Sequence, residues 1–423
     1  MSLQASKVGS SPLMIDWSQM QVNTLSTEAI TKAWNQAKTR LSKAESGFYD
    51  APVKEEIHQN AASAELAKKL LGSEKFKDCL FLGIGGSALG PIALLTAVEH
   101  LRKTKLKFHF VENPDATDWN FRLSGLNPDS TLVVVVTKSG TTYETVAQFL
   151  IAQSWLKKER WPTNLVVITD PVKGDLRAWA SKNQIMTLPI HPSVGGRFSI
   201  FTPVGLFAAH LAGLDATKFL KGAESVRSVC ETSAPEKNPL FTLAYRIHSL
   251  SDRHPVHVLM PYSTRLKLIG QWWVQLWGES LGKDSKGYTP VAAVGATDQH
   301  SLLQLLRDGP NDKITGFVTV DQVPDSAPIP SQSLGPFSSF EQLRGKNLHD
   351  LLTFEHRSVV RVLSGRSRPC FTLQLERLDE ASVGALCFAF CVITAFTAEL
   401  LGVNPYDQPG VEESKLYIRE FLR

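Results

Sequence analysis

Thr131-Leu-Val-Val-Val-Val-Thr-Lys-Ser-Gly-Thr-Thr142 decides the fold class of this chain. Its first half, Thr131–Val136, is an unbroken apolar run. A strand of that kind is buried on both faces. The second half is a short polar loop, and helical spacing follows from Thr142 to Leu156. Upstream, Cys79–Ile84 is another apolar run, ending in Gly-Ile-Gly-Gly. Helical spacing over Ser87–Leu101 and a further apolar run at Lys107–Val111 come next. Downstream, Asn164–Thr169 reads as one more strand. Strands alternating with helices of about 15 residues predict a parallel sheet covered on both faces.

The pattern recurs. Val256–Met260, Val291–Val294 and Ile314–Val320 read as strands, with helices at Arg265–Trp277 and Gln299–Arg307 between them. A second α/β unit is expected, although no sequence repeat is visible. The first 75 residues read as helical and polar, with Ser26 or Thr27 capping a helix that runs to Leu41. Asp321–Ser339 is rich in Pro and Ser and reads as a surface loop. The expected organisation is a helical segment over 1–75, an α/β domain over 76–215, and a second with C-terminal helices over 216–423.

Composition narrows the function. In 423 residues, Lys+Arg 45 nearly balance Asp+Glu 41, for a net charge of +4. No basic stripe calls for nucleic acid. Five cysteines without a close CxxC pair fit a reducing compartment, and the N-terminus has no secretory pattern. Ala381–Ala398 is uncharged and reaches the minimum length of a membrane span, but Ser382, Gly384, Thr394 and Thr397 dilute it. It reads as a helix buried in a large core. Cys387 and Cys391 belong to that core. His248, His254 and His257 do not make a metal set, so no metal is expected.

Six segments carry chemistry. Gly83-Ile-Gly-Gly-Ser-Ala-Leu-Gly90 lies between a strand and a helix, where backbone N–H groups favour an anion. Gly83, Gly85 and Ala88, with Glu112 beyond, also fit a dinucleotide fingerprint. A tight turn with no ligand is the plain alternative. Thr137-Lys-Ser-Gly-Thr-Thr142 decides between them. Its hydroxyls, one ammonium and a helix N-terminus suit a phosphate monoester, which a dinucleotide site would not need. Thr141 and Glu144 are placed for a capping box.

Val194-Gly-Gly-Arg-Phe-Ser199 lets Arg197 point inward at an oxyanion. In Gln271–Lys283, Leu268, Trp272, Gln275 and Glu279 share a face if the helix reaches Glu279. Indoles beside that carboxylate would strip its water and favour its use as a base. In Thr297-Asp-Gln-His-Ser301, Asp298 is placed as N-cap and His300 in the first helical turn. The helix dipole there favours a neutral imidazole able to exchange a proton. Asn404-Pro-Tyr-Asp-Gln-Pro-Gly-Val-Glu-Glu-Ser-Lys415 is a stiff strap carrying Gln408 and Lys415. Each segment alone has a structural reading: a turn, a cap, a solvated Arg, an exposed Glu.

Together, and in this order, the six segments resemble the glucose-6-phosphate isomerase (phosphoglucose isomerase) family from about Gly83 to Lys415. The resemblance implies two sugar-isomerase-type, flavodoxin-like parallel-sheet domains flanked by helices. It implies substrate binding by Gly86, Ser87, Thr137, Lys138, Ser139, Thr141, Thr142, Gln275 and Gln408. It assigns Glu279 as base, Arg197 to the enediolate side, and His300 and Lys415 to ring opening. A cytoplasmic homodimer is implied, with His300 serving the neighbouring subunit's site and no cofactor required. Tyr406 stands where many relatives have Phe. The competing readings are a bifunctional phosphoglucose/phosphomannose isomerase, a non-catalytic sugar-phosphate sensor and a dinucleotide-dependent oxidoreductase.

Overall fold

The computed structural model describes residues 5–22, 27–41, 43–324, 327–331 and 338–423. Among them run strands β1 (Ala5–Lys7), β2 (Leu13–Asp16), β3 (Asp78–Leu82), β4 (Lys107–Val111), β5 (Thr131–Val136), β6 (Leu165–Thr169), β7 (Met186–Pro189), β8 (Val256–Pro261), β9 (Thr289–Ala292), β10 (Lys313–Gln322) and β11 (Cys370–Arg377). They form two sheets. The first has the order β4-β3-β5-β6-β7 and is parallel throughout. The second has the order β1-β2-β11-β10-β8-β9 and is parallel from β11 to β9.

The expected strand at Thr131–Val136 forms over those residues. All six are buried, with Val134 paired to Phe81 on one side and Val166 on the other. Its continuous apolar character has that cause: helices cover both faces of the sheet. The second unit repeats the first. Counted from one edge, β9-β8-β10-β11 matches β4-β3-β5-β6 in order, direction and intervening helices. In each sheet the chain reverses its direction of winding beside the first strand, β3 or β8. That is the switch point where open α/β sheets bind ligands, at the carboxyl ends of the strands.

The N-terminal stretch departs from its helical reading. Thr27–Leu41, Glu55–His58 and Asn60–Gly72 are helices, but β1 and β2 form a hairpin on the second sheet. There β2 runs antiparallel to β11, with Asp16 opposite Thr372. Leu13 and Ile15 face the core and Met14 and Asp16 alternate outward, which is the period of a half-buried strand. Thr27 begins its helix, and Ser26 lies outside the described residues. Of the expected loop at Asp321–Ser339, the first two residues complete β10, and 325–326 and 332–337 lie outside the described residues.

One core joins the two sheets. Helix Lys267–Leu281, which follows β8, packs on helix Leu89–Ala97, which follows β3. Helix Glu380–Leu401 packs against helix Lys267–Leu281 and is almost wholly buried. Its uniformly apolar surface therefore faces protein on all sides. Cys387 and Cys391 are buried within it.

Candidate active site

The first phosphate-type loop follows β3. Gly86 is where two loops meet. A Cβ there would lie 2.2 Å from the carbonyl carbon of Gly196, so only glycine permits the contact. Ser199 Oγ seals it by donating to Gly86 O at 3.1 Å. The loop carrying Ser87 and the loop carrying Arg197 are thus fixed to each other through backbone.

The second loop follows β5, the neighbouring strand. Thr137 Oγ1 and Thr142 Oγ1 are 2.9 Å apart, and Ser139 Oγ lies 3.4 Å from Thr142 Oγ1. Ser139 Oγ accepts from Thr141 N and Thr141 Oγ1, each at 3.2 Å. Four hydroxyls therefore share one loop at the start of helix Tyr143–Leu156. The expected capping box does not form. Thr142, not Thr141, occupies the N-cap, and its side chain makes no capping bond because it turns toward Thr137 and Ser139. The N–H groups of a helix's first turn lack intrahelical partners and suit an anion.

Lys138 is placed differently from its neighbours. Its ammonium donates to Pro192 O at 2.7 Å and Val194 O at 2.8 Å, just ahead of Gly195-Gly196-Arg197. Two of its three N–H bonds are spent on that loop, and burial pulls its pKa below the usual lysine value.

Arg197 is the centre of the arrangement. It is 2% exposed, and all five N–H groups have acceptors. Nε donates to Ser280 Oγ at 2.8 Å. Nη2 donates to Pro405 O and to Asp407 O. Nη1 donates to Glu279 Oε2 and Gln408 Oε1, each at 3.1 Å. Burial lowers its pKa, and the Glu279 carboxylate opposes that shift. Helix Lys267–Leu281 does reach Glu279, and Gln275, one turn earlier, donates from Nε2 to Glu279 Oε1 at 2.8 Å. The indole surroundings expected for Glu279 do not form. Trp272, Trp273 and Trp277 pack into the core, and the carboxylate is held by a guanidinium and an amide, with 29% of its side chain exposed.

Lys283 closes the Gln271–Lys283 segment. Its ammonium donates to Ser280 O at 3.1 Å and to Asn404 O, and pairs with Asp407 Oδ1 at 3.2 Å. Burial and the nearby Arg197 charge lower its pKa. Arg197 and Lys283 together clamp the strap, so that Gln408 reaches the same nitrogen as Glu279. Asn404 Oδ1 accepts from Tyr406 N at 3.1 Å, and the Tyr406 ring lies 5.9 Å from Phe198. The only sequence signal for Lys283 was its spacing of four residues after Glu279.

The structure thus brings Gly86, Arg197, Gln275, Glu279 and Gln408 together, with the hydroxyl loop on the next strand. His300 stands apart, exposed in the first turn of helix Gln299–Asp308. Asp298 precedes that helix as expected, but its carboxylate accepts from Val294 N at 2.6 Å and makes no cap. Among the described residues no hydrogen bond or ion pair joins His300 to the cluster. Lys415 is half-buried on helix Gly410–Phe421, beyond the strap.

A family profile described as phosphoglucose isomerase matches residues 67–422. The chain belongs to the phosphoglucose isomerase family. A glucose-6-phosphate isomerase of Rubrobacter xylanophilus is 40% identical over 368 residues, covering 84% of each chain. A solved hypothetical protein of Thermus thermophilus matches with a TM-score of 0.86 at 33% identity, covering 93% of this chain and 95% of the other. A solved glucose-6-phosphate isomerase of Chlamydia trachomatis shares the fold, with a TM-score of 0.81 at 21% identity, covering 99% of this chain and 89% of that one. These two solved structures and this chain share one fold.

Proposed function

We infer that this chain catalyses the reversible isomerisation of glucose 6-phosphate and fructose 6-phosphate. The observation that carries the reading is the convergence on Arg197 Nη1 of one carboxylate and one amide, beside a loop of four hydroxyls. A sensor of sugar phosphates needs the hydroxyl loop. It has no use for a carboxylate held in place by a buried guanidinium.

The phosphate does not react. Ser87, Thr137, Ser139, Thr141 and Thr142, with the backbone at Gly86 and the helix N-terminus, hold it, and its binding energy positions C1 and C2. Lys138 adds positive charge and steadies the Arg197 loop. His300 and Lys415 open the ring, one giving a proton to the ring oxygen and the other taking one from the anomeric hydroxyl. Glu279 removes the C2 proton beside the aldehyde and returns it at C1. Negative charge then develops on the enediolate oxygens, and Arg197 supplies fixed positive charge there through Nη1. Gln275 aims the carboxylate, and Gln408 shares Nη1 with it. The exposure of His300 suits a homodimer in which it completes the partner's site. A cytoplasmic location fits buried, unpaired cysteines.

The direct test adds fructose 6-phosphate to the purified protein without metal or cofactor and couples glucose 6-phosphate to a dehydrogenase. Rapid formation, abolished in Glu279→Gln, is expected. A folded protein that binds fructose 6-phosphate and forms no product would leave a sugar-phosphate sensor. Turnover of mannose 6-phosphate at a comparable rate would widen the activity to the bifunctional kind.

A further inference from the structure

The second sheet has its own switch point, between β8 and β10, and it is not an open loop. Where β3 leads into a glycine-rich turn, β8 leads into Tyr262, which is 3% exposed. Its N–H donates to Val318 O at 2.7 Å. Its ring stands edge-on to Phe317 and His356, with centroids 5.9 and 5.1 Å away. One buried side chain therefore stands directly after β8, where the first sheet has glycine.

That side chain supports the turn before His300. The Gly295 backbone lies on the ring: a Cβ at 295 would come within 2.6 Å of three ring carbons. Gly295 N donates to Pro261 O at 2.9 Å, which ties the same turn to the end of β8. At the far end, Tyr262 Oη donates to Gln299 Oε1 at 2.8 Å, and Gln299 is the residue before His300. Asp298 closes the turn on itself through Val294 N. Burial, with Glu355 nearby, raises the phenol's pKa and so favours the protonated, donating hydroxyl.

We propose that Tyr262 is a positioning residue for His300, holding the Gly295–Gln299 turn so that the imidazole projects from the protein at one fixed angle. The proposal rests on the assignment of His300 to ring opening. An exposed histidine has no packing of its own to fix it. A group that must reach a ring oxygen to about half an ångström needs its backbone fixed instead.

The test isolates ring opening. In a Glu279→Gln background the C2 proton is not abstracted, yet the ring still opens and closes. Interconversion of the α and β anomers of glucose 6-phosphate, followed by exchange NMR, then reads ring opening alone. Tyr262→Phe, which keeps the ring and loses only the hydroxyl, is expected to slow interconversion roughly three- to tenfold, as for one lost hydrogen bond. The affinity for glucose 6-phosphate should not change. Gln299→Leu should do the same, and the double variant should lose no more than either. His300→Ala is the control. If it removes interconversion while Tyr262→Phe and Gln299→Leu leave it untouched, the positioning role is wrong and the ring-opening role stands. If His300→Ala itself has no effect, both fall. A lower melting temperature with unchanged interconversion would make Tyr262 a packing residue only.

Discussion

The two sheets share the order of four strands and differ in what they place at the switch point. In the first, the glycine loop after β3 meets the Arg197 loop through bare backbone at Gly86, and the hydroxyl loop after β5 reaches it through the Lys138 ammonium. In the second, β8 leads into the buried Tyr262, whose N–H donates to Val318 O of β10 and whose hydroxyl donates to Gln299. Yet the proton-moving candidates come from the second unit: Glu279 from the helix after β8, His300 from the helix after β9, Lys415 from the C-terminal helix. The difference teaches a division of labour. On the proposed reading, the first sheet end binds the part of the substrate that does not change, and the second unit carries the reactive groups, with Gln275 and Gln408, across to it.

That division makes kinetic predictions. The largest effect belongs to the second unit. Glu279→Gln should lower kcat at least about 100-fold, the low end for a general base, with KM nearly constant. Steady-state rates check it, and a change confined to KM would dissolve the division. In the first unit, Thr142→Val should raise KM roughly tenfold, with kcat little altered, because one hydrogen bond to a charged group is lost. A collapse of kcat instead would move that loop into the chemistry. Lys138 crosses the boundary, since it belongs to the hydroxyl loop and holds the carbonyls ahead of Arg197. Lys138→Met should therefore lower kcat and raise KM together, each by a few-fold. An effect on KM alone would reduce it to a phosphate contact.

A separate effect is on stability. Burial in the second unit lowers the pKa of His356 to about 4 and of His257 to about 3, from 6.5. Below pH 6.5 the unfolded chain binds these protons and the folded chain does not. Stability is thus full above 6.5 and falls as pH drops, with the His356 contribution levelling off below about 4 and that of His257 below about 3. Urea midpoints measured from pH 7 to 4 should show this decline, and His356→Gln should flatten it. An unchanged slope would contradict the burial argument.

Much of this was legible in the sequence because the physics was local. The apolar run at Thr131–Val136 needs no partner to be recognised, and glycine, hydroxyl and cap residues mark loops by their own geometry. What was not legible depends on distant partners. β2 is four residues long and exists because Thr372–Leu375 offers it an edge. Lys283 gains its role from Asn404 and Asp407, more than a hundred residues away. The capping box failed for the same reason: the Thr142 hydroxyl has Thr137 to meet, which a reading of Thr141 and Glu144 alone does not reveal. Tryptophans next to Glu279 in the chain lie on the core side of their helix, and the true neighbours, Arg197 and Gln408, come from other segments.

The central claim is that Glu279 moves a proton between C2 and C1 of the bound sugar. Glucose 6-phosphate carrying deuterium at C2, incubated in ordinary water and followed by NMR, tests it directly. The account predicts that the protein releases part of the label to water as fructose 6-phosphate forms, and that Glu279→Gln still binds the sugar but releases none. Label loss at the original rate in Glu279→Gln, or complete retention of deuterium in the product, would contradict it.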